Sequence, residues 1–274
     1  MAPSRVIQGQ LTRLSRTTHG IAYDTTNDEI IAPNPLAAAV VIFRGGAIGE
    51  EAPVRTIQGA RTGLSRPETV AVDEKNNEIV VGDPGDRRVL VYRRTADGDS
   101  APIRTIQGPK TKLLQIVGVS VDPVRDVLVV STYSRLPGGL TGLLIFGRTD
   151  NGDVAPKRII AGPKTGITRL RQIALDPETG KIYVAAINNE YLPPYSIDKP
   201  RAGLDPEVDL PSPWNTGSEG FIGVWDDMAD DGDVPPRSLI KGRSTGIVHP
   251  AGALRMMRRG RTLPPASRGN TSAV

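Results

Sequence analysis

One five-residue phrase returns along this chain at intervals close to fifty residues, and that recurrence restricts the fold more than any other feature. Arg5-Val6-Ile7-Gln8-Gly9 reappears as Arg55-Thr56-Ile57-Gln58-Gly59, as Arg104-Thr105-Ile106-Gln107-Gly108 and as Arg158-Ile159-Ile160-Ala161-Gly162, with a degenerate copy at Ser238-Leu239-Ile240-Lys241-Gly242. About fifteen residues after each of the first four copies an apolar run closes in an aspartate, at Asp24, Asp73, Asp122 and Asp176, separated by 49, 49 and 54 residues. A fixed period of this length means that one supersecondary unit is repeated.

The unit itself reads as four short strands. In the second copy these are Glu68 to Val72, Glu78 to Gly82, Arg88 to Arg93 and Ile103 to Gln107, separated by the turn sequences Asp73-Glu74-Lys75-Asn76-Asn77, Asp83-Pro84-Gly85-Asp86 and Asp97-Gly98-Asp99. Turn residues interrupt every run before a helix of 10 to 12 residues could form. With 30 Gly and 24 Pro in 274 residues, long helices are excluded as well. Four strands in each unit of about 40 to 50 residues define a β-propeller blade. The expected fold is therefore all-β, a propeller of five blades of four antiparallel strands, with a truncated six-bladed ring as the alternative. Units begin near His19, Glu68, Val117 and Arg171, and Thr245-Gly246-Ile247 announces a fifth. The Arg5–Gln8 strand precedes its own unit and is expected to complete the last blade and close the ring, removing exposed sheet edges.

The pattern predicts one propeller domain over residues 1–254, carrying an insertion in the fourth blade over about 187–219. That insertion contains Tyr191, Tyr195 and Trp214 and reads as a lid or an apolar recognition wall. Residues 255–274 hold five Arg and no acid and read as a basic tail, disordered or translated out of frame. Without them the balance of 34 basic and 30 acidic residues becomes 29 against 30. The positive charge thus belongs to the tail, and no nucleic-acid partner is expected. No run approaches the roughly 18 to 20 apolar residues of a membrane span. The start of the chain lacks the pattern of a secretory signal, so a cytoplasmic location is expected. The absence of Cys removes thiol nucleophiles and zinc ribbons. No GxSxG elbow, phosphate-binding glycine loop or dinucleotide fingerprint occurs.

Pro67-Glu68-Thr69-Val70-Ala71-Val72-Asp73 and Asn77-Glu78-Ile79-Val80-Val81-Gly82-Asp83 resemble the NHL-type propeller repeat and the related gluconolactonase, senescence-marker and paraoxonase-like propellers, over residues 5 to 250. The usual ring of those families has six blades. The resemblance implies a range from calcium-dependent lactonases, ester hydrolases and lyases to non-catalytic binding modules.

Positions that differ between copies near the channel mouth are the candidates for chemistry. The leading inner-strand residues are His19, Glu68, Val117, Arg171 and Ala251, and the position just after the second strand holds Asn34, Asp83, Thr132 and Ala186, with Asn188 two residues on. Asn34, Glu68, Asp83 and Asn188 carry the oxygen donors that a Ca²⁺ ion prefers and resemble the Glu/Asn/Asp set of the lactonase propellers. His19 is the expected general base, with His249 second, and Arg171 is suited to hold a substrate carbonyl or carboxylate. The leading expectation is a calcium-dependent hydrolase that opens a lactone or ester, with an N-acyl-homoserine lactone as one substrate. The alternatives are a non-catalytic module binding a protein or peptide, and a five-bladed glycoside hydrolase using Glu68 and Asp83. The recurring Asp24, Asp73, Asp122 and Asp176, and the Asp97-Gly98-Asp99, Asn151-Gly152-Asp153 and Asp231-Gly232-Asp233 sequences, are read as turn formers rather than calcium loops.

Overall fold

The computed structural model describes residues 3–15, 18–134, 139–187, 220–226, 228–242, 245 and 247. Each repeat becomes one antiparallel sheet whose strands follow chain order. The first sheet holds β1 (Ala22–Asp24), β2 (Glu29–Asn34), β3 (Ala39–Arg44) and β4 (Arg55–Ile57). The second holds β5 (Thr69–Asp73), β6 (Glu78–Asp83), β7 (Arg88–Arg93) and β8 (Arg104–Ile106). The third runs through β9 (Gln115–Asp122), β10 (Val127–Tyr133), β11 (Gly142–Gly147) and β12 (Arg158–Ala161). The fourth consists of β13 (Arg169–Asp176), β14 (Lys181–Ile187), β15 (Phe221–Asp226) and β16 (Ser238–Lys241).

The core lies between blades. Alternate residues of a strand point to opposite faces, so a blade with neighbours on both sides has apolar residues at every position of its middle strands. This is why Val40-Val41-Ile42-Phe43 and Val89-Leu90-Val91-Tyr92 are unbroken apolar runs. Val40 and Ile42 pack with Val70, Val72, Ile79 and Val81 of the second blade, while Val41 and Phe43 turn the other way, onto Ile7 and Leu14. Val80, Val89 and Val91 meet Leu128, Val130, Leu144 and Phe146. Val129, Ile145 and Ile160 meet Leu170, Ile173, Phe221 and Trp225.

The four closing aspartates are turn formers, as the sequence suggests. Asp24 Oδ1 accepts the main-chain N–H groups of Thr26 and Asn27, and Asp122 Oδ1 those of Val124 and Arg125. Asp73 and Asp176 bind Asn76 and Glu178 in the same way.

The Asp/Asn-Gly-Asp segments do more than turn a hairpin. Each reaches back to the outermost strand of the preceding blade. Gly98 N–H donates to Thr56 O at 2.8 Å and Gly98 O accepts from Gln58 N–H at 2.9 Å, while Asp97 Oδ1 accepts from Thr56 N–H at 2.9 Å. The second acid, Asp99, accepts from Arg61 N–H at 2.6 Å. Asn151-Gly152-Asp153 makes the same set with Thr105, Gln107 and Lys110, and Asp231-Gly232-Asp233 with Ile159, Ala161 and Lys164. These latches fix the order of the blades.

Five blades closed by Arg5–Gln8 are corrected to four complete sheets among the described residues. Arg5–Gln8 joins none of them. Its Val6 O and Gln8 N–H pair with Gly49, and Glu50 Oε1 accepts from Gln10 N–H at 2.6 Å. The strand therefore occupies the seat of an outermost strand belonging to a blade placed before the first. The fifth blade and the 255–274 tail lie outside the described residues, and so does the insertion apart from Ile187. No helix among the described residues is long and apolar enough to cross a membrane.

A second inter-blade device joins the blades through charge. Glu29 receives both Nη groups of Arg55 at 2.7 and 2.8 Å and Nη1 of Arg94 from the second blade at 3.1 Å. The Arg55 hydrogen bonds hold the Glu29 carboxyl below its ordinary value of 4.5. A depressed carboxylate stabilises the fold above its unfolded pKa, and that contribution is lost as the pH falls through the lower folded value. The Tm of wild-type protein is thus expected to exceed that of Glu29→Gln at neutral pH, with the gap closing below about pH 4. Paired thermal melts across pH measure it.

Candidate functional site

The inner strands gather around one axis. A Cβ on Gly20 would stand 3.0 Å from Thr69 Cα, Thr69 Oγ1 accepts from Val119 N–H at 3.3 Å, and a Cβ on Gly118 would meet Ile173 N at 3.2 Å. Gln172 Nε2 then donates to His19 O at 2.5 Å, from the fourth blade to the first. The leading residues His19, Glu68, Val117 and Arg171 consequently stand at or just before inner strands that neighbour one another from blade to blade.

His19 and Glu68 meet there. His19 Nδ1 is 3.7 Å from Glu68 Oε2, with the imidazole largely exposed and the carboxylate mostly covered. The other oxygen of Glu68 is 3.1 Å from Arg66 Nε. Glu68 is therefore shared between two cationic or potentially cationic side chains.

Arg171 is placed differently. Leu170 pairs with Ala186 and Gln172 with Ala185, so Arg171 is the extra residue of a bulge in β13. Val117 occupies the matching irregularity in β9, where Gly118 pairs with Ser131 and Ile116 with Thr132. Bulges re-aim the side chain they carry. Arg171 Nε is buried without a hydrogen-bond partner among the described residues. Burial lowers the affinity of its guanidinium for the proton, Arg169 lowers it further, and Tyr133 acts in the opposite sense.

Three of the residues read as calcium donors, Asn34, Glu68 and Asp83, are among the described residues. Asp83 is fully buried, and its two oxygens accept main-chain N–H groups from Ser65 at 2.6 Å, Arg66 at 2.9 Å and Gly85 at 3.1 Å. The carboxamide of Asn34 is spent on Arg13 O and Ala37 N–H. Thr132 does the corresponding work in the third blade by accepting from Leu114 N–H at 3.0 Å. In the fourth, Thr168 Oγ1 donates to Ile187 O. The end of the second strand thus holds down the loop entering the blade's own inner strand, through a different side chain in each of the first three copies and a main-chain carbonyl in the fourth. Asn188 and His249 lie outside the described residues. No group of three or more His, Asp or Glu suited to a metal occurs among the described residues. Of the donors read from the sequence, Glu68 is held by Arg66 and lies near His19, while the oxygens of Asn34 and Asp83 accept main-chain N–H groups. Asp83, read with Glu68 as a carboxylate pair for glycoside hydrolysis, has both oxygens bound to main-chain N–H groups.

No protein-family profile and no curated protein sequence matches this chain. Among solved structures it is similar to the hydrazine synthase of Kuenenia stuttgartiensis, at 11% identity and a TM-score of 0.51, over 76% of this chain and 51% of that one. It is also similar to a chain in the nidogen/laminin complex, at 15% identity and a TM-score of 0.47, over 62% and 56% respectively. The chain spans about half the length of these structures. The likeness is one of fold, and it places the chain among the β-propellers.

Proposed function

We propose that this protein is a binding propeller that takes a carboxylate-bearing ligand, such as an acidic peptide, at the channel mouth beside the third and fourth blades. The supporting observation is Arg171, a half-buried guanidinium raised on a bulge, next to a second arginine and without a counter-ion among the described residues. A buried cation in that setting is costly unless an anion joins it, and a guanidinium offers a carboxylate two parallel donors. Arg169 adds positive potential, while Glu68 is already paired with Arg66.

Fluorescence-labelled acidic peptides and their amidated counterparts, titrated against the protein, test this reading. Acidic peptides are expected to bind and neutral ones not. Arg171→Gln is expected to weaken binding about 10- to 100-fold, the range for losing a charge-assisted hydrogen bond. Calcium-dependent turnover of a lactone or ester panel, abolished by a chelator, would instead restore the hydrolase expectation.

A further inference from the structure

Asp97, Asn151 and Asp231 hold equivalent places in three latches. The Oδ1 atom of each accepts the main-chain N–H of an outermost strand in the preceding blade, that of Thr56, Thr105 or Ile159, at 2.9 Å. The glycine that follows donates back to the carbonyl of that same residue, Gly98 at 2.8 Å and Gly152 and Gly232 at 2.7 Å. Asn151 alone of the three brings a carboxamide to this place, and Asn151-Gly152 is the one Asn-Gly step in the sequence.

An Asn-Gly step is chemically weak. Once the glycine nitrogen has given its proton to solvent, it can attack the asparagine Cγ. A cyclic imide forms and ammonia leaves. Water then opens either carbonyl of the imide, giving aspartate or isoaspartate. A glycine on the nucleophilic side puts no side chain in the way of the attack. Asn151, Gly152 and Asp153 are all exposed, so water reaches both steps.

Two contacts oppose the attack while the latch is made. The nucleophile, Gly152 N–H, is committed to Thr105 O. The side chain that must swing to meet it is tied through Oδ1 to Thr105 N–H. Asp153 fastens the same turn a third time by accepting Lys110 N–H at 2.8 Å.

We propose that Asn151-Gly152 is a self-modification site governed by its latch, inert while the second and third blades are joined and deamidated when they part. The two products act in opposite directions. Aspartate is what Asp97 and Asp231 already are, so it returns to the same hydrogen bond, and its charge strengthens that bond. Isoaspartate inserts an extra carbon into the main chain before Gly152, so the side-chain oxygen and the Gly152 N–H no longer match the N–H and carbonyl of Thr105. Each opening of this join is thereby written into the chain as a tighter contact or a lost one.

The test is peptide mass mapping of the full chain held in mildly alkaline buffer, reading the exchange of amide for acid at residue 151 and separating the two products by fragmentation. The native protein is expected to react slowly and the urea-unfolded chain fast. Asp153→Ala, which frees one end of the turn, should raise the native rate about tenfold or more, the gain in open population on losing one charge-assisted hydrogen bond. Asp99→Ala removes the corresponding bond, to Arg61 N–H, from the latch between the first and second blades and should leave the rate at residue 151 near that of wild type. Asn151→Asp protein is expected to melt at or above the wild-type temperature, and aged protein carrying isoaspartate below it. Equal rates in the native and unfolded chains overturn the proposal. Equal acceleration by the two alanine variants overturns it as well, because the reaction would then follow unfolding of the whole domain.

Discussion

Gly108→Ala is expected to cost about 3 kcal/mol, which for a domain of this size lowers Tm by roughly 6–12 °C. Two effects combine. The glycine sits at φ 130°, where a side chain strains the backbone. A Cβ there would also stand 2.4 Å from the carboxylate of Asp153, forcing out the group that accepts Lys110 N–H at 2.8 Å. The second blade would lose its hold on the third. Gly242→Ala supplies the control, since the same backbone twist at φ 117° meets no neighbour among the described residues. Its cost should be confined to strain, about 1–2 kcal/mol. In an Asp153→Ala background, Gly108→Ala should fall to that smaller cost, because the clash has gone. Calorimetry of the four proteins in that cycle measures the coupling, and an unchanged loss in both backgrounds would sink the latch.

Asp83→Ala is expected to be at least as damaging, at about 3–5 kcal/mol. It strips the acceptor from three main-chain N–H groups at once, those of Ser65, Arg66 and Gly85. It also leaves Arg88, whose Nε lies 3.9 Å from Asp83 Oδ2, with one fewer balancing charge. Asp83→Asn should be milder, keeping one acceptor while turning an amide N–H₂ towards two donors. The measurement that separates this role from calcium binding is the melting temperature with calcium and with chelator. A ligated ion stabilises by mass action, so wild-type Tm would rise with calcium and Asp83→Ala would erase the rise. The expectation here is no calcium response in either protein and a large difference between them.

The repeat carried the fold because its signals are local. Closing aspartates sit two or three residues from the N–H groups they bind, and a short apolar run bounded by turn residues declares a strand. The latches escaped the sequence reading for the opposite reason. Asp97 and its donor Thr56 are 41 residues apart, so Asp97-Gly98-Asp99 looked like a hairpin turn and nothing more. The phrase Gln-Gly that recurs at Gln58-Gly59 and Gln107-Gly108 is the other half of that contact, and its matching period with the acidic turns was the available clue.

The candidate site was less legible than the fold. Asn34 and Asp83 drew notice because their position varies among copies, which was taken to mean function. Instead Asn34, Asp83 and Thr132 solve one problem, tethering the loop into the inner strand, by three different hydrogen-bonding groups. In the fourth blade the tether moves to Thr168. Variation in a repeat is cheap wherever several side chains can satisfy the same main-chain group. Arg171 was legible as a leading inner-strand residue. Its bulge and its want of a counter-ion were not, since both depend on how β13 pairs with β14.

The latches also have a direction. Each outermost strand is fastened by a turn that emerges from the ribosome 41 to 72 residues later, as Thr56 is by Asp97 and Ile159 by Asp231. During synthesis every blade therefore waits, its last strand unfastened, until most of its successor has been made. A nascent chain halted at Arg93 has three strands of the second blade and an untied β4, whereas six further residues, through Asp99, secure it. Arrested translation would thus yield a staircase of protease resistance, with each step rising as an Asp/Asn-Gly-Asp turn clears the exit tunnel.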